Sequence, residues 1–132
     1  MLQALFWIYA INAMFLILHE IESAYWKEWE LFKIGGGITG FVALHIPIIA
    51  LIFLGLVTVY DPSRMGMIIS LILCAGGLFA FSIHTYFLRK GKEEFTLPIS
   101  KILLYVILLL SITQLVLTIL SIVLYDPLYV IS

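Results

Sequence analysis

The chain has 132 residues, 64% of them hydrophobic and 11% charged, with a mean hydropathy of +1.18, far outside the composition of soluble globular domains. A formal net charge of −1 gives no electrostatic case for nucleic-acid binding. The single cysteine, Cys74, excludes an intrachain disulfide and any dithiol or CxxC chemistry.

Four apolar segments, roughly 2–26, 38–60, 65–88 and 97–125, each exceed the run of about 20 residues that crosses a bilayer core. None alternates in the manner of a transmembrane barrel strand. The expected fold is all-α: a polytopic membrane four-helix bundle, one membrane domain over 1–132, with both termini on the same side. The connections are short, so any chemistry is expected inside the bundle or on its rim. Lys27 and Lys33 follow the first segment, and Arg89, Lys90, Lys92 and Lys101 lie between the third and fourth. Arg64 alone lies on the other side, so the positive-inside rule predicts extracytoplasmic termini in a cytoplasmic (inner) membrane.

In the first segment no Lys or Arg precedes Lys27, and the apolar run is too long for a cleavable signal, so a retained helix is expected. The segment ends in His19, Glu20 and Glu22. Ionisable groups at such depth are costly and mark a functional site by default. His19 and Glu22, three apart, share a helix face, whereas Glu20 points about 100° away and is read as an outer acceptor for an imidazole N–H or as a rim charge paired with Lys27. Aromatics and charges interleave over 25–33, as suits a belt at the membrane surface. Trp26 and Glu30, seven and eleven residues after His19, fall near its face and are expected to cover the site.

The second segment follows Gly35, Gly36 and Gly37, read as a flexible connection and helix start, and carries His45 with Pro47 two residues on. Pro47 removes the backbone bond to the Ala43 carbonyl. The turn Asp61-Pro62-Ser63-Arg64 leads to the third segment, where Gly76, Gly77 and Ala80 precede His84 on nearly one face and allow close packing. The fourth segment has no charged residue between Lys101 and Asp126 and is read as a wall of the site. Its Gln114 is at the depth of Asn12, and an interhelical amide pair is expected there.

Counted from the segment edges, His19, His45 and His84 lie about 8 to 12 Å deep in one layer. With Glu22 they form three imidazoles and one carboxylate, a donor set suited to a divalent zinc or iron ion. The expected function is a metal site near the cytoplasmic face, with Glu22 as base on metal-bound water and a lipid or other membrane-dissolved molecule as substrate. Glu20 and Glu30 would support the ligands. The alternatives are a proton, ion or small-solute pathway through a homo-oligomer, haem held by His45 and His84, and a structural subunit in which the histidines pin helices together.

The stretch His19-Glu20-Ile21-Glu22-Ser23, followed by aromatic and charged residues, resembles bacterial membrane proteins of unknown function named for an HxxEE motif. His19 and Glu22 match the first spacing, and Ser23 stands where the second glutamate belongs. The resemblance implies a polar site and no named reaction.

Overall fold

The computed structural model describes residues 1–124. Five helices follow one another: α1 (Leu2–Tyr25), α2 (Glu28–Leu31), α3 (Gly37–Tyr60), α4 (Arg64–Arg89) and α5 (Pro98–Leu124). The long four are long and apolar enough to cross a membrane, which makes this a multi-pass membrane protein. They start and stop within one residue of the predicted segments; Tyr125, the predicted end of the last, lies outside the described residues.

The arrangement is an antiparallel ring in which α1 and α4 are each flanked by α3 and α5, while α1 and α4 barely meet across the middle. The ends Leu2 and Leu124 share one end of the bundle, as the pairings Asn12–Gln114 and Glu22–Ser100 along α1 and α5 require. Outside, large apolar side chains such as Trp7, Phe53, Val57, Phe79 and Leu109 are exposed. Asn12, Ser70, Ser111, Gln114 and Thr118 are all fully buried. That inversion is what a hydrocarbon solvent selects, because polar groups find partners only inside.

Two devices set the spacing of the helices. Between α1, α4 and α5, Asn12 Nδ2 donates to Gln114 Oε1 at 2.8 Å and to Ser111 Oγ at 3.2 Å. Gln114 Nε2 in turn donates to Ser70 Oγ at 2.9 Å and to the Ser70 carbonyl at 3.1 Å. The expected amide pair is therefore present and extends to α4. Between α3 and α4 the approach is close only near their shared turn. A Cβ on Gly66 would strike the Thr58 carbonyl, and one on Gly55 would strike the Tyr9 hydroxyl and Ile69. Ser63 caps α4, its Oγ accepting from Gly66 N at 3.1 Å.

Toward the other end α3 and α4 leave a crevice of about 510 Å³ between them and α1. Gly76 and Gly77 show the change along one helix. Gly77 faces Ser111 of α5, where a Cβ would clash, whereas a Cβ on Gly76 would meet nothing within 4 Å.

Candidate functional site

The crevice is apolar along its walls and polar at one end. On α3 the walls are Leu44, Ile48, Leu51 and Ile52; on α4 they are Ile69, Ile72, Leu73, Gly76 and Phe79. Ile48, Ile72 and Phe79 are also exposed, so the crevice opens sideways to the lipid between α3 and α4. Its polar end holds His19, Glu20, Glu28, His45 and His84. The three histidines, predicted to share a layer on three helices, line this single hollow.

Within it they form two groups. His45 sits between two acceptors: Nδ1 lies 2.6 Å from the Phe41 carbonyl and Nε2 lies 2.6 Å from Glu20 Oε2. Neither partner can donate unless Glu20 is protonated. Both contacts are satisfied only by an imidazolium beside a carboxylate, or by a neutral imidazole beside a carboxylic acid. In either form the Glu20–His45 pair carries one proton and no net charge. On the lipid side of the α1–α3 seam a second hollow shares Glu20, Phe41 and His45 with the crevice, so this pair forms part of the partition between them.

The second group is His19, His84 and Glu28. The two imidazoles meet edge to face with centroids 4.6 Å apart, and both are buried. His84 Nε2 lies 3.3 Å from Glu28 Oε1. Burial works to raise the Glu28 pKa, but the facing His84 imidazole, with Ser23 and His19 close by, outweighs it and holds the carboxyl below its ordinary value. Nδ1 of His19 and Nδ1 of His84 are buried without a partner among the described residues.

Glu28 was not among the predicted residues. On a continuous helix it would lie nine residues past His19, about 180° around the axis, and so on the opposite face. The helix does not continue. It ends at Tyr25, and Lys27 adopts φ 53°, a left-handed conformation usual at a helix C-terminus though rarely with a side chain as long as lysine. The chain re-enters as α2 with Glu28 turned inward, while Glu30 is left exposed and within 4.0 Å of Lys27 Nζ. Glu28, not Glu30, thus closes this end of the crevice. Lys27, proposed as an alternative partner of Glu20, pairs with Glu30 instead.

Phe95 is a second residue without a sequence signal. It lies in the connection from α4 to α5, fully buried, with its ring centroid 4.0 Å from His84 and 5.8 Å from His19. Its φ of 63° is strained for an aromatic residue and costs on the order of 1–2 kcal/mol. The ring's place against both imidazoles offsets that cost.

Glu22, predicted as ligand and base, faces α5. Its Oε1 accepts from the Ser100 hydroxyl and from Trp26 Nε1, the latter at 3.4 Å, and it does not line the crevice. Trp26 likewise turns toward Glu22 and Phe95. His19, Glu22, His45 and His84 therefore do not converge on one point. Among the described residues no three His, Cys, Asp or Glu side chains are arranged to hold a metal ion.

Over residues 5–121 the sequence matches a family model described as a family of unknown function, DUF6713. The match spans most of the chain, which belongs to that family. The expected membership in an uncharacterised family holds at this level, and the description carries no HxxEE motif. Comparison with curated proteins and with solved structures finds no match.

Proposed function

We propose that this member of a family of unknown function binds a membrane-dissolved amphiphile in the crevice and exchanges a proton with its head group. The apolar chain lies along α3 and α4, and the head sits among His19, Glu20, Glu28, His45 and His84. The observation that carries this reading is the continuity of one hollow, open to lipid at its side and ending in three histidines and two carboxylates. Its volume falls within the range of small-molecule sites, about 300–1,000 Å³. The Glu20–His45 pair, holding one proton between two acceptors, is the donor; the unpartnered Nδ1 atoms of His19 and His84 are the acceptors. By the positive-inside count this end faces the cytoplasm, in a cytoplasmic membrane.

The test is binding of a labelled single-chain amphiphile to protein in lipid nanodiscs, beside Gly76→Leu. Gly76 lines the crevice and a Cβ there meets nothing within 4 Å, so the backbone admits a side chain that narrows the crevice. Saturable binding that Gly76→Leu abolishes, at unchanged thermal stability, is the expected result. Equal binding by both proteins overturns the reading.

Zinc or iron remains a separate proposal for the same residues, because a bound ion would need His45 to leave Glu20 and join His19 and His84. Elemental measurement on the purified protein decides it. Stoichiometric metal lost alike in His19→Ala, His45→Ala and His84→Ala would establish a shared metal site, and its absence would leave the proton-holding pair as the working chemistry.

A further inference from the structure

Resting on the binding reading above, we propose that the head group taken at the polar end is a protonated amine, so the ligand is a long-chain amine rather than an anionic lipid. The argument begins with what lines the hollow. Two carboxylates, Glu20 and Glu28, stand there, and no lysine or arginine does. Lys27, the nearest cation in sequence, is turned away to Glu30, its side chain 63% exposed. A phosphate or carboxylate head would have to leave water and sit beside the Glu28 carboxylate and a Glu20–His45 pair of no net charge, with no guanidinium or ammonium to receive it.

Hydrogen-bonding capacity points the same way. The polar end is rich in acceptors: the carboxylates of Glu20 and Glu28, the Phe41 carbonyl, and the unpartnered Nδ1 atoms of His19 and His84 wherever those rings are neutral in the Nε2–H form. Among the described residues its ionisable donors are the imidazoles and the one proton of the Glu20–His45 pair. An alkylammonium brings three N–H donors and a positive charge. A neutral amine entering from the lipid takes the proton held by the Glu20–His45 pair, becomes the ammonium, and leaves that pair with one negative charge facing it, beside Glu28. Phe32 and Phe41 also line this end, and aromatic faces attract a cation as they do not attract an anion.

The experiment uses the full chain in nanodiscs of zwitterionic lipid at neutral pH, with tritiated dodecylamine as the probe. Unlabelled dodecylamine, dodecanol, dodecanoate and dodecyl phosphate compete for it. Dodecylamine is expected to displace the probe at concentrations about tenfold or more below dodecanoate and dodecyl phosphate, since an anionic head meets the Glu28 carboxylate and finds no lysine or arginine there. Glu20→Gln and Glu28→Gln, which keep shape and remove charge, should each weaken the amine about tenfold and weaken dodecanol by less. An anionic chain that competes as well as the amine overturns the proposal, as does amine affinity untouched by both glutamine variants. Dodecanol equal to dodecylamine overturns the charged head while keeping the crevice. If no chain binds saturably, or Gly76→Leu binds as the wild type does, the binding reading itself falls.

Discussion

The helices α3 and α5 flank the same α1–α4 pair and are held to it by different means. α5 buries Ser100, Ser111, Gln114, Thr118 and Ser121 together with Leu103, Leu104 and Ile107, and its amide and hydroxyl groups bond to both neighbours. Among the described residues α3 buries only Phe41, Ile52, Gly55 and Val59, and its bonds to other helices are two: the Tyr9 hydroxyl to the Ile52 carbonyl at 2.9 Å, and His45 to Glu20. Lipid tails are as apolar as leucine, so apolar surface alone does not draw a helix inward; close approach and hydrogen bonds do. α5 has these along its length and seals its seam. α3 has them near Gly55 and at His45, and between those points its wall stands apart from α4 and the crevice forms. The site lies on the side of the bundle that is under-packed.

Substitutions that break each kind of contact should separate the two sides. The largest effect is expected for Gly66→Leu, because the atom in the way is the Thr58 carbonyl of the backbone and cannot rotate aside. Overpacking usually costs about 1–3 kcal/mol, and this case should reach the top of that range or leave no folded protein, as read from thermal unfolding in detergent. Phe95→Ala should follow at about 3 kcal/mol, the usual cost of removing a buried aromatic ring, and should also raise hydrogen exchange in the connection between α4 and α5. Retained stability would mean the ring is not what holds His19 and His84 together.

On the polar side of the comparison, Gln114→Leu should cost about 2 kcal/mol, since it leaves Asn12 without its amide partner in a dry interior. Tyr9→Phe, which removes the single hydroxyl bond from α1 to α3, should cost about 1 kcal/mol or less. Equal costs would show that α3 and α5 are fastened alike and would remove the explanation for the crevice.

The smallest effect concerns pH. Glu28 has a lowered pKa in the folded protein, so its contact with His84 stabilises the fold above the ordinary carboxylate value of 4.5 and is lost as pH falls through the lower folded value. In wild type, exchange of the α2 amides should therefore rise on acidification within that window. Glu28→Gln should show the rapid exchange at every pH, and a variant that keeps the acid step would place its origin elsewhere.

Sequence alone determined the four spans, because about 20 apolar residues in a row have one stable arrangement in hydrocarbon, the backbone-satisfied helix. It also determined that Asn12 would meet Gln114, since buried amides at equal depth have few other partners. Direction around each helix was legible only while the helix ran unbroken. Glu22 shares its face with His19 by spacing, yet Ser100 on α5 is its partner. Glu28 was hidden because the left-handed turn at Lys27 reverses a face that periodicity assigns to the other side. Phe95 was hidden because a loop residue has no period at all. Which carboxylate meets which imidazole, and that α3 and α4 part to leave a crevice beside them, depend on the lateral distances between helices. Those distances are set by contacts between residues far apart in the chain, such as Tyr9 with Gly55 and Gly77 with Ser111, and only the tertiary structure decided them.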